Sequence, residues 1–206
     1  MAIYQDLVDQ FGFTGAYNSV KRFTAKLRYR EPEQFDRLEF SPGEAWNYSV
    51  ATDVLGYLVQ LISGQPFDVF LKEKIFTPLK MVDTGFFVPE SQRHRFTACY
   101  TLNPKGEVVL QDDPETSAYF SDPAVKSGGG GLVSTADDYM RFCRMLLNGG
   151  ELDGARIIGP KTLKLMTMNH LPGGKELTQL SRSLFSEAVF EGLGFGLGFA
   201  VTVDQA

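Results

Sequence analysis

One stretch of this chain leaves the backbone little freedom. Ser41-Pro42-Gly43-Glu44 is a turn: proline presets φ at the second position, and glycine accepts the positive φ that a type II turn demands at the third. Val54, Leu55, Leu58, Val59 and Ile62 then recur at helical spacing and form one apolar stripe, which Gly64 ends. Ser49 stands where the N-cap of that helix is expected. A second helix is predicted from Pro66, in its first turn, to a stop before Pro78.

Further elements follow the same logic. Apolar residues spaced by three and four predict helices over 3–11 and 17–29. Residues 95–111 read as a β hairpin, with Phe96, Ala98 and Tyr100 alternating, Asn103-Pro104-Lys105-Gly106 as the turn and Val108 to Leu110 as the return. After the run Gly128 to Gly131, Thr135 and Asp138 resemble a capping box. Tyr139, Phe142, Cys143, Leu146 and Leu147 would form the buried face of that helix, which Gly149-Gly150 stops. Gly159-Pro160 opens another helix, to about Asn169. Residues 194–203 alternate glycine with apolar residues and predict a strand without a closing partner.

Composition narrows the function. Hydrophobic residues make up 43% of the 206, with 17 Phe and 8 Tyr, which is enough for a core and argues against disorder. The net charge is −5, and the densest cationic stretch, Lys21 to Arg30, is broken by apolar residues, so no basic patch suggests nucleic acid. Cys99 and Cys143 stand far apart, and nothing in their spacing supports a disulfide. No apolar run approaches 18 residues, so no membrane span is expected. Residues 1–6 lack the basic and apolar regions of a signal peptide, leaving a cytoplasmic location as the default.

Self-contained catalytic sets are missing. His94 and His170 are the two histidines, and neither has a second ligand at metal spacing. No serine sits in a Gly-x-Ser-x-Gly elbow. The four glycines lack the lysine of a phosphate loop and the strand–turn–helix setting of a dinucleotide site, which leaves a flexible turn as their simplest reading.

The segment Ser41 to Val59 continues through Ile62 to Phe67 and Ile75 to Phe86. With Ser127 to Ala136, Leu146 to Gly150 and Gly192 to Phe199, it resembles the serine β-lactamase-like superfamily in order from about residue 40. Class C β-lactamases, esterases of the same fold and D-alanyl-D-alanine carboxypeptidases are the nearest relatives by this resemblance. It implies an α+β fold. Residues 1–206 would be part of one such domain, with a helical region over roughly 1–190 and the start of the C-terminal sheet half over 191–206. It further implies a two-step acyl-enzyme mechanism with no metal or organic cofactor, acting on a small-molecule substrate.

Three motifs carry that family's chemistry: Ser-x-x-Lys, a Tyr-x-Asn variant, and a strand segment such as Lys-Thr-Gly, His-x-Gly or Trp-Gly-Gly. Only the second is here, as Tyr48-Ser49-Val50, and it marks Tyr48 as the catalytic candidate. No serine has lysine three residues later; Thr77-Pro78-Leu79-Lys80 has the spacing but falls in the family's structural Pro-Leu-x-Met segment. The family order puts the other two motifs beyond the ends of this chain. An isolated phenol titrates near ~10 and is a poor base at neutral pH without a neighbouring cation, so Tyr48 is expected to work only in a complete site. Val50 replaces an asparagine amide with a side chain that neither donates nor accepts, which tilts the substrate from amides towards esters. Trp46 either walls the cleft or belongs to the core.

Overall fold

The computed structural model describes residues 40–41, 43–48, 50–181 and 191–203; the helices expected at 3–11 and 17–29 lie outside these. In chain order come α1 (Ala51–Ser63), α2 (Phe67–Leu71) running into a π turn (Lys72–Phe76), β1 (Cys99–Leu102) and β2 (Val108–Asp112). They are followed by α3 (Ala136–Leu147), β3 (Glu151–Leu152), β4 (Ala155–Arg156), α4 (Pro160–Met166), α5 (Leu177–Leu180), β5 (Leu193–Phe195) and β6 (Ala200–Thr202). The strands pair as three antiparallel two-stranded ribbons, β1–β2, β3–β4 and β5–β6.

The hairpin over 95–111 forms with its turn where the sequence places it: Leu102 faces Val108, and Asn103 Oδ1 accepts from the N–H groups of Lys105 at 2.9 Å and Glu107 at 3.0 Å. The glycine-rich tail differs from its expectation. Leu193–Phe195 turns at once and pairs with Ala200–Thr202, so the segment closes its own ladder instead of standing as a lone strand. The glycines between the two strands, Gly198 among them at φ 88°, supply the tight reversal.

Two helix starts also differ from their sequence patterns. The N-cap of α1 is Val50, which has no side-chain acceptor; Ser49 lies outside the described residues. At α3, Thr135 does cap, accepting from the Asp138 N–H at 3.2 Å. The Asp138 carboxylate does not complete the capping box. It is buried and accepts instead from the Asp83 N–H at 2.7 Å and the Thr84 hydroxyl at 2.9 Å, because two donors across the core compete better than one local amide. Helix α4 stops at Met166 rather than near Asn169, whose Oδ1 instead accepts from the N–H of Leu171 at 3.1 Å and of Phe195 at 3.1 Å.

The core has two parts. Phe76, Leu79, Met81, Met145 and Leu152 pack together, with Phe142, Leu146, Ile157 and Ile158 around them. Leu79 is 0% exposed, and Arg141 fixes this turn by donating from Nε to the Leu79 carbonyl at 2.5 Å. Thr77 to Lys80 is therefore a structural turn, as its Pro-Leu-x-Met pattern implies. The smaller part joins Leu171, Leu177 and Leu180 with Trp46, Leu193 and Phe195.

Helix α1 departs from its pattern. Gly64 ends it in the left-handed region at φ 70°, as expected, but of its stripe only Leu58 and Val59 are half-buried, while Leu55 and Ile62 are 57% and 71% exposed. Its one buried residue is Gly56, which faces the Gly128 backbone and the Phe67 ring. Among the described residues no single helix is long and apolar enough to cross a membrane.

Candidate active site

The turn that precedes the candidate tyrosine forms as read: the Glu44 N–H reaches the Ser41 carbonyl at 3.1 Å, and Gly43 takes φ 87°. Trp46 follows, and the structure places it in the smaller core part. Its N–H donates to the Leu180 carbonyl at 2.8 Å, it bridges Ser181, and its ring lies 4.3 Å from that of Phe195. Its Nε1 and the neighbouring Ser181 Oγ are buried, with no hydrogen-bond partner among the described residues.

Tyr48 and Val50 stand beyond that anchor, 48% and 66% exposed, on the link into α1. The three candidates thus share a segment but not an environment: Trp46 is tied into the core, and the other two face outwards. A cavity of about 850 Å³ opens elsewhere, with Phe76, Phe86 and Val88 on its apolar side and Lys80 and Arg95 among its charged groups, and none of the three candidates lines it. On its rim, the Arg95 guanidinium donates to Asp83 at 2.8 Å and holds that carboxyl below the usual aspartate range. Among the described residues, no three His, Cys, Asp or Glu side chains gather in a group able to hold a metal.

What lies directly after Tyr48 was less visible in the sequence. The Ser127 hydroxyl donates at 2.5 Å to Oδ1 of Asp53, in the first turn of α1, and Ser127 Oγ accepts from the Gly129 N–H at 3.0 Å. Gly128 packs so closely that a Cβ there would sit 2.1 Å from the Thr52 carbonyl oxygen, and a Cβ on Gly56 would lie 3.1 Å from the Gly128 Cα. The glycine run is therefore a close-approach element against α1 rather than a merely flexible turn. A signal for this exists: glycine inside a helix costs about 1 kcal/mol relative to alanine, so Gly56 needs a packing reason.

The family model described as Beta-lactamase matches residues 9–204. The chain belongs to that family. An uncharacterized protein of Mycobacterium tuberculosis is 36% identical over 169 residues, covering 82% of this chain and 41% of the relative. Esterase EstB of Burkholderia gladioli is 34% identical over 118 residues, covering 50% and 30%. The solved structure of EstCE1, a hydrolase with promiscuous acyltransferase activity, is 26% identical with a TM-score of 0.59, covering 80% and 42%. The chain thus spans less than half the length of each. Its fold is the β-lactamase-like α+β fold, and its family is one of serine hydrolases in which relatives are named as esterases, acyltransferases and carboxypeptidases.

Proposed function

We propose that residues 1–206 are the tyrosine-bearing part of a serine hydrolase that cleaves small esters through an acyl-enzyme. The observation that carries this is Tyr48: a half-exposed phenol two residues ahead of the α1 N-cap, in the position of the family's second motif. In such a site a serine oxygen attacks the ester carbonyl and the alcohol leaves with a proton. Water then releases the acid and restores the serine. The phenol's part is to move that proton, a role worth about 10²- to 10⁴-fold in rate. Val50 supports the ester preference, since an aliphatic side chain offers a substrate amide no partner.

A second reading is favoured by a specific observation. None of the serines in the 206 residues has lysine three positions later, as the nucleophile motif requires. A relative that only binds ligands or partners would look the same. The codons flanking residues 1–206 separate the two: an in-frame Ser-x-x-Lys upstream and a Lys-Thr-Gly, His-x-Gly or Trp-Gly-Gly downstream support the hydrolase, and stop codons at both ends support the binding protein. At the bench, a fluorophosphonate probe should leave the 206-residue chain unlabelled. Stoichiometric labelling would mean that the nucleophile is inside this chain after all.

A further inference from the structure

Tyr48 lies between two anchors. Upstream, Trp46 is held by the Leu180 carbonyl and by Phe195. Downstream, the N-cap of α1 is Val50, whose side chain offers no acceptor to the first turn. A first turn gains order from any partner that holds it, and here the loop that follows Lys126 supplies one. One hydroxyl does two tasks, for Ser127 donates to Asp53 on the helix and accepts from Gly129 on the loop. Gly128 allows the two backbones to meet at Thr52.

The loop is braced locally at its start and tied to another segment past its glycines. Lys126 Nζ pairs with Asp122 at 2.6 Å and donates to the Pro123 carbonyl at 2.6 Å. Past the glycines, Val133 and Gly85 exchange both backbone hydrogen bonds, at 2.8 and 3.1 Å, which ties the loop to the segment carrying the buried Phe86. The Val133–Gly85 pairing thus ties the glycine loop to the Phe86 segment, and the Ser127–Asp53 hydrogen bond joins that loop to the first turn of α1.

We propose that Asp53 and Ser127 are positioning residues for Tyr48: their hydrogen bond clamps the tethered glycine loop onto the first turn of α1 and so fixes the downstream end of the segment that presents the phenol. The inference rests on the reading of Tyr48 given above. Both residues are only half-buried. Removing the hydroxyl leaves a carboxylate that water reaches, so the loss falls on geometry more than on overall stability.

The first test needs no activity. In the 206-residue chain, Ser127→Ala should speed amide exchange over residues 54–57, the first hydrogen-bonded amides of α1, by up to about tenfold, the worth of one hydrogen bond, with the β1–β2 hairpin unchanged. Ser127→Thr, which keeps the hydroxyl, should restore the slow exchange. Unchanged exchange at those amides, or an equal rise in the hairpin, overturns the clamp. The second test uses ester turnover by a protein that carries these residues together with a nucleophile. There Ser127→Ala should lower kcat while leaving KM within about twofold, as loss of a transition-state alignment does, and Ser127→Thr should rescue it. If Tyr48→Phe abolishes turnover and Ser127→Ala leaves kcat intact, positioning is overturned while the reading of Tyr48 stands. If Tyr48→Phe itself leaves kcat intact, that reading falls and takes positioning with it.

Discussion

The molecule holds two regions together in different ways. Around Leu79 and Met145, side chains from the π turn, α3 and β3 close over one another, and the polar groups at its edge serve the packing. Around Tyr48 and the first turn of α1, there is little side-chain burial; backbone meets backbone at Gly56 and Gly128, and single hydrogen bonds do the holding. The first arrangement stores stability. The second places an exposed group accurately with few buried atoms and is the easier of the two to disturb locally. Substitutions in the two regions should therefore separate activity from stability.

The largest effect expected falls on activity alone. In a catalytically complete protein, Tyr48→Phe should reduce ester turnover by roughly 10²- to 10⁴-fold, while melting stays within the range of a surface substitution, about ±0.5 kcal/mol. A fall in melting temperature matching the loss of rate would place Tyr48 in the first region instead. The converse is Leu79→Ala. Its side chain is fully buried, so the substitution should destabilise by about 2–5 kcal/mol in urea unfolding, with the folded fraction keeping its turnover.

Asp138 tests whether the dense region depends on its polar rim. Its buried carboxylate accepts from the Asp83 N–H and the Thr84 hydroxyl. Asp138→Ala leaves those donors unmatched and should cost about 1–3 kcal/mol, against a smaller loss for Asp138→Asn, which keeps one acceptor. Val50 tests the exposed region at finer scale. Val50→Asn should raise turnover of amides relative to esters by up to about tenfold, the worth of one new hydrogen bond, and, because Val50 is the N-cap of α1, its amide should also stabilise the fold by about 0.5–2 kcal/mol. An unchanged ratio would remove Val50 from substrate selection.

How much of this was legible follows the same division. The turn at Ser41, the hairpin at Asn103, the cap at Thr135 and the Gly64 stop all rest on chemistry within a few residues, and the structure keeps them. Tyr48 is a candidate through the motif around it, and its role rests on that motif alone. What the sequence could not disclose were matches between distant segments. Asp138 looked like a local capping residue because nothing nearby reveals Asp83 and Thr84, 55 and 54 residues away. The stripe on α1 looked buried because periodicity reports which residues share a face, not what covers it. The contact of Gly128 with α1 was hidden for the same reason: glycine announces permissiveness, and only the fold says whether a turn or a close approach uses it.

The smallest effect is electrostatic and sits at the edge of the dense region. The Arg95 guanidinium, 2.8 Å from Asp83, holds that carboxyl below its usual range through a hydrogen bond and its charge. Arg141 does the same for Asp153 at 2.5 Å. A carboxyl whose pKa is lower in the folded than in the unfolded chain makes folding release protons, so stability rises with pH across the window between the two values. The contribution is fully present above the unfolded aspartate value of about 4 and disappears as pH falls through the lower folded value. Arg95→Ala should accordingly lower the melting temperature slightly at pH 7 and pH 5, and the gap from the unmodified chain should close towards pH 2. Because both partners are partly exposed, molar salt should narrow the same gap at pH 7. A gap that persists at pH 2 would mean that Arg95 acts by packing on the cavity rim rather than by charge, and the dense region would then extend further than its buried side chains indicate.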